Sequence, residues 1–219
     1  MNSISTPIPA RLKTDGGVKP LQPLTLVVEM LAPMALFVGV VLIIQIDVRF
    51  LGNGLRENSM TELSQSALLI FSAKVFAMRA CQDVGSRGYL ILVATLFACM
   101  FVRENDGFLD HIRHGFWVFP AMCVAIAGGL SALHCRDSIV IPFLRHFEQR
   151  ETTYIFIGLL VVLVFSRLFG TTSLWQPLMA DAYDASFKTV VQEGLELLGY
   201  ALIAYGSARL SARQLAQAG

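Results

Sequence analysis

Long apolar stretches separated by short polar ones recur along most of this chain. Several approach the roughly 20 apolar residues that a helix needs to cross a bilayer, so the pattern predicts an all-α, polytopic transmembrane bundle of about six helices. The predicted spans are residues 24–46, 60–80, 88–104, 115–134, 153–169 and 185–210. They form one domain, residues 24–210, between an N-terminal tail, 1–23, expected to be mobile, and a short C-terminal tail, 211–219.

Local signals mark some of the helix boundaries. Ser59 is followed three residues later by Glu62, the spacing of a capping box, so the second helix is expected to begin there. Pro33 predicts a kink within the first span. The third span is expected to continue as helix as far as Asp106, next to the helix-breaking Gly107.

Composition supports the membrane prediction and excludes other classes. Hydrophobic residues make up 55% of the 219 residues and charged residues 15%, against roughly 45–50% and about 25% in soluble domains. The mean hydropathy is +0.61. A net charge of +1 without a basic run gives no indication of nucleic-acid binding. The four cysteines form no CxxC pair, which favours small buried apolar side chains over metal thiolates.

The distribution of Lys and Arg predicts the orientation. With the N-terminus inside, the basic residues near the inner helix ends are Arg11, Lys13, Lys19, Arg79, Arg87, Arg136, Arg145, Arg150, Arg209 and Arg213. Those near the outer ends are Arg49, Arg56, Arg103, Arg113, Arg167 and Lys188. This excess on one side follows the positive-inside rule. We therefore expect a protein of a bacterial-type inner membrane, with both termini on the cytoplasmic side and the lipid bilayer as its immediate partner.

Ionisable residues converge toward the predicted outer side. A charged side chain within a membrane helix costs about 2.5–3.5 kcal/mol on insertion scales, so each needs a partner or a function. Four helices bring such residues to a similar depth, and Glu193, Glu196 and Tyr200 share one helical face. The predicted polar cluster is Glu62, Arg103, Glu104, Asp106, Asp110, His111, Arg167, Glu193 and Glu196.

One interpretation of this cluster is a non-enzymatic membrane component. Arg103 and Arg167 would neutralise the carboxylates and fix the helix register, and carboxylate chains in membranes also serve as proton or ion relays. The protein would then be a complex subunit, a small transporter or an ion-coupled relay. A membrane protein partner or a homo-oligomer fits this interpretation.

The alternative is a metal-dependent, hydrolase-like membrane enzyme acting on a lipid or a small periplasmic molecule. Carboxylates and imidazoles are ligands for zinc, iron or manganese. The candidate ligands are Glu193, Glu196 and His111, with Glu104 as general base. Convergence of three or more of these side chains on one point, without an arginine between them, would favour the enzyme. An arginine among the carboxylates would favour the neutralised network. No HxxxH or HExxH motif is present, and this absence tilts the choice toward the first interpretation.

Two further charged residues fall in the inner halves of the first two spans. Glu29 is about one turn into the first helix, and Lys74 is about a turn and a half from the end of the second. If these helices are antiparallel neighbours, the two side chains reach each other. The sequence therefore predicts a structural ion pair between Glu29 and Lys74.

Overall fold

The computed structural model describes residues 23–51 and 59–218, without the side chains of residues 23–26, 28 and 214–218. The N-terminal tail therefore lies almost entirely outside the described residues. All regular structure within them is helical, and no strand occurs there. The all-α prediction is confirmed.

The long helices of the described chain follow the predicted order, and short helices or helical turns connect them. The helices are α1 Pro23–Ile46, α2 Met60–Gln82, α3 Arg87–Glu104, α4 Asp106–Asp110, α5 Val118–His134, α6 Val140–Phe147, α7 Arg150–Leu160, α8 Ser166–Phe169, α9 Thr172–Met179 and α10 Ala185–Ala218. A π-helical turn, Val161–Phe165, joins α7 to α8. Contrary to prediction, α3 ends at Glu104, and Asn105 separates it from the short α4.

Fewer segments than predicted have the length and composition of a membrane span. Among the described residues, three do: Glu29–Leu51, Val84–Glu104 and Arg150–Phe169. A fourth is added if α5 and α6, bent by 96°, count as one span. The α2 and α10 helices are long enough but carry many polar residues, several of them buried inside the bundle.

The last helix, α10, lies at the centre of the bundle and packs against α1, α2 and α7. Its buried Tyr200 and Ile203 join Phe76 of α2 and Phe97 of α3 in the main core. Glycine permits a close contact between α10 and α7, since a Cβ at Gly199 would lie 2.8 Å from the Gly158 carbonyl oxygen of α7. Because α1, α2 and α7 all pack against α10, polar residues of α10 such as Glu196 and Ser207 are buried inside the bundle.

The start of α2 is fixed by two separate caps. The Ser59 hydroxyl accepts a hydrogen bond from the Glu62 N–H at 3.1 Å, which confirms the predicted cap. Asp47, in the π-helical turn Asp47–Leu51 after α1, is completely buried. Its carboxylate accepts from the N–H groups of Met60 and Thr61, both at 2.8 Å, and from the Thr61 hydroxyl at 2.6 Å. The end of α1 is thereby tied to the start of α2.

The short α6 has one face against the bundle and one face outward. Pro142 and His146 are buried, and the His146 ring lies 4.8 Å from the Tyr89 ring of α3. The outward residues of α6 are mostly large and apolar, with Arg145 exposed among them: Val140, Ile141, Phe143, Leu144 and Phe147. The α6 helix is therefore amphipathic, and it is bent by 96° from α5.

Candidate functional site

Three carboxylates meet between α3 and α10. Glu104, Glu193 and Glu196 each offer an oxygen atom within 4.8 Å of the others. We call these three residues, together with Arg103 and Arg167, the polar cluster. The cluster forms there because Glu104, at the end of α3, meets Tyr200 of α10, and because Glu193 and Glu196 lie about one helical turn apart on α10.

Glu196 is the most deeply buried member, with 2% of its side chain exposed. Its Oε1 lies 2.7 Å from Arg167 Nη2 and accepts from the Ser166 hydroxyl at 3.2 Å and from Gln192 Nε2 at 3.1 Å. Its Oε2 lies 3.9 Å from Arg103 Nη1. Such a set of donors stabilises an ionised carboxylate.

Glu104 is held by one arginine and one tyrosine. The buried Tyr200 hydroxyl donates to Glu104 Oε2 at 2.7 Å, and Arg103 Nη1 lies 3.5 Å from the same oxygen. Since Arg103 approaches both Glu104 and Glu196, it lies among the carboxylates rather than beside them. This arrangement is the one expected of a neutralised network.

Glu193 differs from the other two carboxylates. No arginine lies within ion-pair distance of it among the described residues. Its hydrogen-bond donor is the amide of Gln65 on α2, whose Nε2 lies 3.1 Å from both the side-chain Oε2 and the backbone oxygen of Glu193. Gln65 is completely buried, and its Oε1 has no hydrogen-bond partner in the described part of the chain.

The remaining predicted members lie around or outside this cluster. Glu62 is half-buried in the first turn of α2 and close enough for its charge to act on Glu193. Asp106 is half-buried at the start of α4. Asp110 accepts from the Gly115 N–H at 2.9 Å, and its other oxygen lies 2.9 Å from His114 Nδ1. These contacts are local to the loop after α4.

His111 is not brought to the three carboxylates. It is exposed, and its Nδ1 lies 2.9 Å from the Gly107 carbonyl oxygen of its own turn. The group whose oxygen atoms meet at possible ligand distance contains Glu104 instead. The predicted trio of Glu193, Glu196 and His111 is therefore not the set that the fold assembles among the described residues. Asn105 interrupts the helix between Glu104 and His111, so these two residues do not share one continuous helical face.

The structure does not bring Glu29 and Lys74 together as the predicted ion pair within the described residues. Glu29 instead contacts Arg209 of α10 at 2.8 Å and Arg150 of α7 at 3.7 Å. Lys74 is exposed beside a groove between α2, α3 and α5, and it forms no ion pair with any described residue. The reason is the position of α10, which contacts both α1 and α2 extensively, whereas α1 and α2 touch each other little.

Sequence reasoning missed three polar residues that the fold uses. Ser166 donates to Glu196, Asn105 exchanges hydrogen bonds with Ser66 of α2 at 3.0 and 3.3 Å, and Asp47 caps α2. The first two directly adjoin charged cluster members in the sequence, and this adjacency was the available signal. Nothing in the sequence around Asp47 indicated a contact with Thr61, since the partners are 14 residues apart.

Comparison of the chain with protein-family models, with curated proteins and with solved structures finds no match.

Proposed function

We propose that this protein is a multi-pass membrane protein with six spanning helices and both termini in the cytoplasm. We further propose that its polar cluster binds and releases one proton as a non-enzymatic, ion-coupled component of a bacterial inner membrane. The observation that carries the second proposal is the charge imbalance of the cluster. Three carboxylates meet there, and two arginines contact them.

A buried site of this kind is most stable when its charges cancel. With all five groups ionised, the cluster carries one excess negative charge. Like-charged carboxylates that share a low-dielectric site do not all ionise together, so uptake of one proton neutralises the cluster. A divalent cation would instead leave it with a positive excess.

Glu193 is the residue that we assign to the exchangeable proton. Glu196 and Glu104 lie against arginines and accept hydrogen bonds that stabilise their ionised forms. Glu193 contacts only a neutral amide, that of Gln65, in the described hydrogen bonds. Protonation at Glu193 therefore removes the charge with the weakest compensation.

The surface of the bundle supports membrane placement. Large apolar side chains are exposed along α1, among them Met30 at 74% and Met34 at 64%. Extended apolar exposure of this kind marks contact with a membrane or a partner. The outward apolar face of α6 suits the membrane interface, and α2 and α10 direct buried polar residues into the bundle, which explains their low apolarity as spans.

Infrared difference spectroscopy of the protein in lipid bilayers tests the assignment. We expect a carboxylic-acid C=O band that titrates with pH, shifts in D2O and disappears in Glu193→Gln. The exposed Asp184 provides a matched control, because it lies before α10 and outside the cluster. Its variant, Asp184→Asn, should retain the band. If the band persists in both variants, or disappears in both, the assignment is overturned.

A metal-dependent enzyme is the second candidate, favoured by the three oxygen atoms within 4.8 Å of one another. Oxygen-only ligands suit hard cations better than zinc. Metal analysis of protein purified without chelators separates the candidates. Stoichiometric metal that is lost in a Glu193→Ala, Glu196→Ala double variant would support the enzyme. If no metal is bound even after metal supplementation, the enzyme is refuted and the proton site stands.

A further inference from the structure

A second charged region lies at the opposite end of the bundle from the polar cluster. Two adjoining cavities, of ≈ 300 and ≈ 390 Å³, open between α1, α7 and α10. We call them together the arginine cavity. Its charged lining residues are Glu29, Arg150, Glu151, Arg209 and Arg213.

The arginine cavity has one positive charge in excess. Arg209 lies 2.8 Å from Glu29, and Arg213 lies 3.0 Å from Glu151, so these two arginines are paired closely. Arg150 has only a 3.7 Å contact with the already paired Glu29, and 76% of its side chain is exposed. Its guanidinium group is therefore the one available to an additional anion.

The position of the cavity indicates which anion would reach it. Two candidate membrane spans begin at its lining residues, one at Glu29 and one at Arg150. Tyr154 and Tyr205 also line it and meet edge to face, with ring centroids 5.0 Å apart. Tyrosine is enriched at the membrane–water interface. With the membrane placement proposed above, the cavity lies at the depth of lipid headgroups, where basic pockets between helices bind anionic lipids.

We propose that the arginine cavity binds the phosphate of an anionic phospholipid headgroup, with Arg150 as the principal donor and Arg209 as the second. This proposal rests on the membrane placement proposed above. A headgroup with one net negative charge cancels the single excess positive charge of the cavity. A zwitterionic headgroup carries its own cation, which the excess arginine repels. Free phosphate shares the same chemistry and is the other possible source.

Lipid binding to the full chain tests this proposal. The protein is reconstituted into phosphatidylcholine vesicles that contain decreasing fractions of phosphatidylglycerol. Native mass spectrometry then measures how much of each lipid remains bound to the protein. We expect retained phosphatidylglycerol, with binding about fivefold weaker in Arg150→Gln, since one basic group near the surface contributes about that factor. Arg136→Gln is the control, because the Arg136 side chain is 82% exposed and lies 4.0 Å from the adjacent Asp137, outside the cavity.

Each outcome has a distinct meaning. Equal retention of both lipids, or equal losses in Arg150→Gln and Arg136→Gln, would overturn the proposal. Displacement of phosphatidylglycerol by millimolar inorganic phosphate would assign the cavity to free phosphate and overturn the lipid as its ligand. Protein that fails to float with the vesicles would refute the membrane placement itself, whereas protein that floats without lipid preference would refute only this inference. Circular dichroism confirms that the variants remain folded.

Discussion

Asp47 is predicted to be one of the most sensitive positions for stability, although it lies outside the polar cluster. Replacement by alanine removes a buried carboxylate that accepts three hydrogen bonds from the start of α2. Met60 is partly exposed, so its N–H can form a hydrogen bond with water instead. The N–H and hydroxyl of Thr61 cannot, because Thr61 is completely buried.

The size of the effect follows from these contacts. An unsatisfied buried donor costs about 1–3 kcal/mol, and Asp47→Ala leaves two such donors on Thr61. The variant also loses a negative charge at a helix N-terminus, worth about 0.3–1 kcal/mol. Since these terms are not independent, we expect the free energy of unfolding to fall by about 3 kcal/mol.

The assay is reversible unfolding in mixed micelles, followed by circular dichroism. Ser59→Ala is the matched control, since it removes the other cap of the same helix and should cost only about 1 kcal/mol. A Thr61→Val change in the Asp47→Ala background removes one orphaned donor and should recover part of the loss. An Asp47→Ala variant within about 0.5 kcal/mol of the unmodified protein, the range of ordinary surface substitutions, would refute this reasoning.

Two further substitutions test the packing and the cluster. A Cβ at Gly128 would lie 2.7 Å from Thr95 Cβ, whereas one at Gly129 would meet nothing within 4 Å. Gly128→Ala should therefore lower the free energy of unfolding, measured in micelles, by about 1–3 kcal/mol. Gly129→Ala should leave this free energy unchanged. Equal effects of the two variants would contradict the close approach of α3 and α5. Arg167→Gln should cost about 3 kcal/mol because it leaves the buried Glu196 without its 2.7 Å partner. Adding Glu196→Gln should restore most of that loss, and a double variant as unstable as the single one would show that the pair is not coupled.

The predicted segments and the observed helices agree where the signal is local. The apolar stretches place α1, α2, α3 and α10 near their observed positions, and the Ser59–Glu62 spacing marks the start of α2. Helical periodicity also predicts that Glu193, Glu196 and Tyr200 share one face, since a repeat of 3.6 residues depends on the chain alone. Apolar length was less informative for α2 and α10, because helices surrounded by protein can retain polar residues.

The partners of the charged residues were decided by the tertiary structure. Glu29 meets Arg209, 180 residues away, rather than Lys74, because α10 contacts both α1 and α2 while these two helices touch each other little. The position of Arg103 between Glu104 and Glu196 likewise depends on how α3 meets α10. Sequence by itself determined where the long helices lie and which of their faces are polar, because both follow from local periodicity. Only the packing of distant helices decided which charges compensate one another, and that no arginine of the described residues lies within ion-pair distance of Glu193.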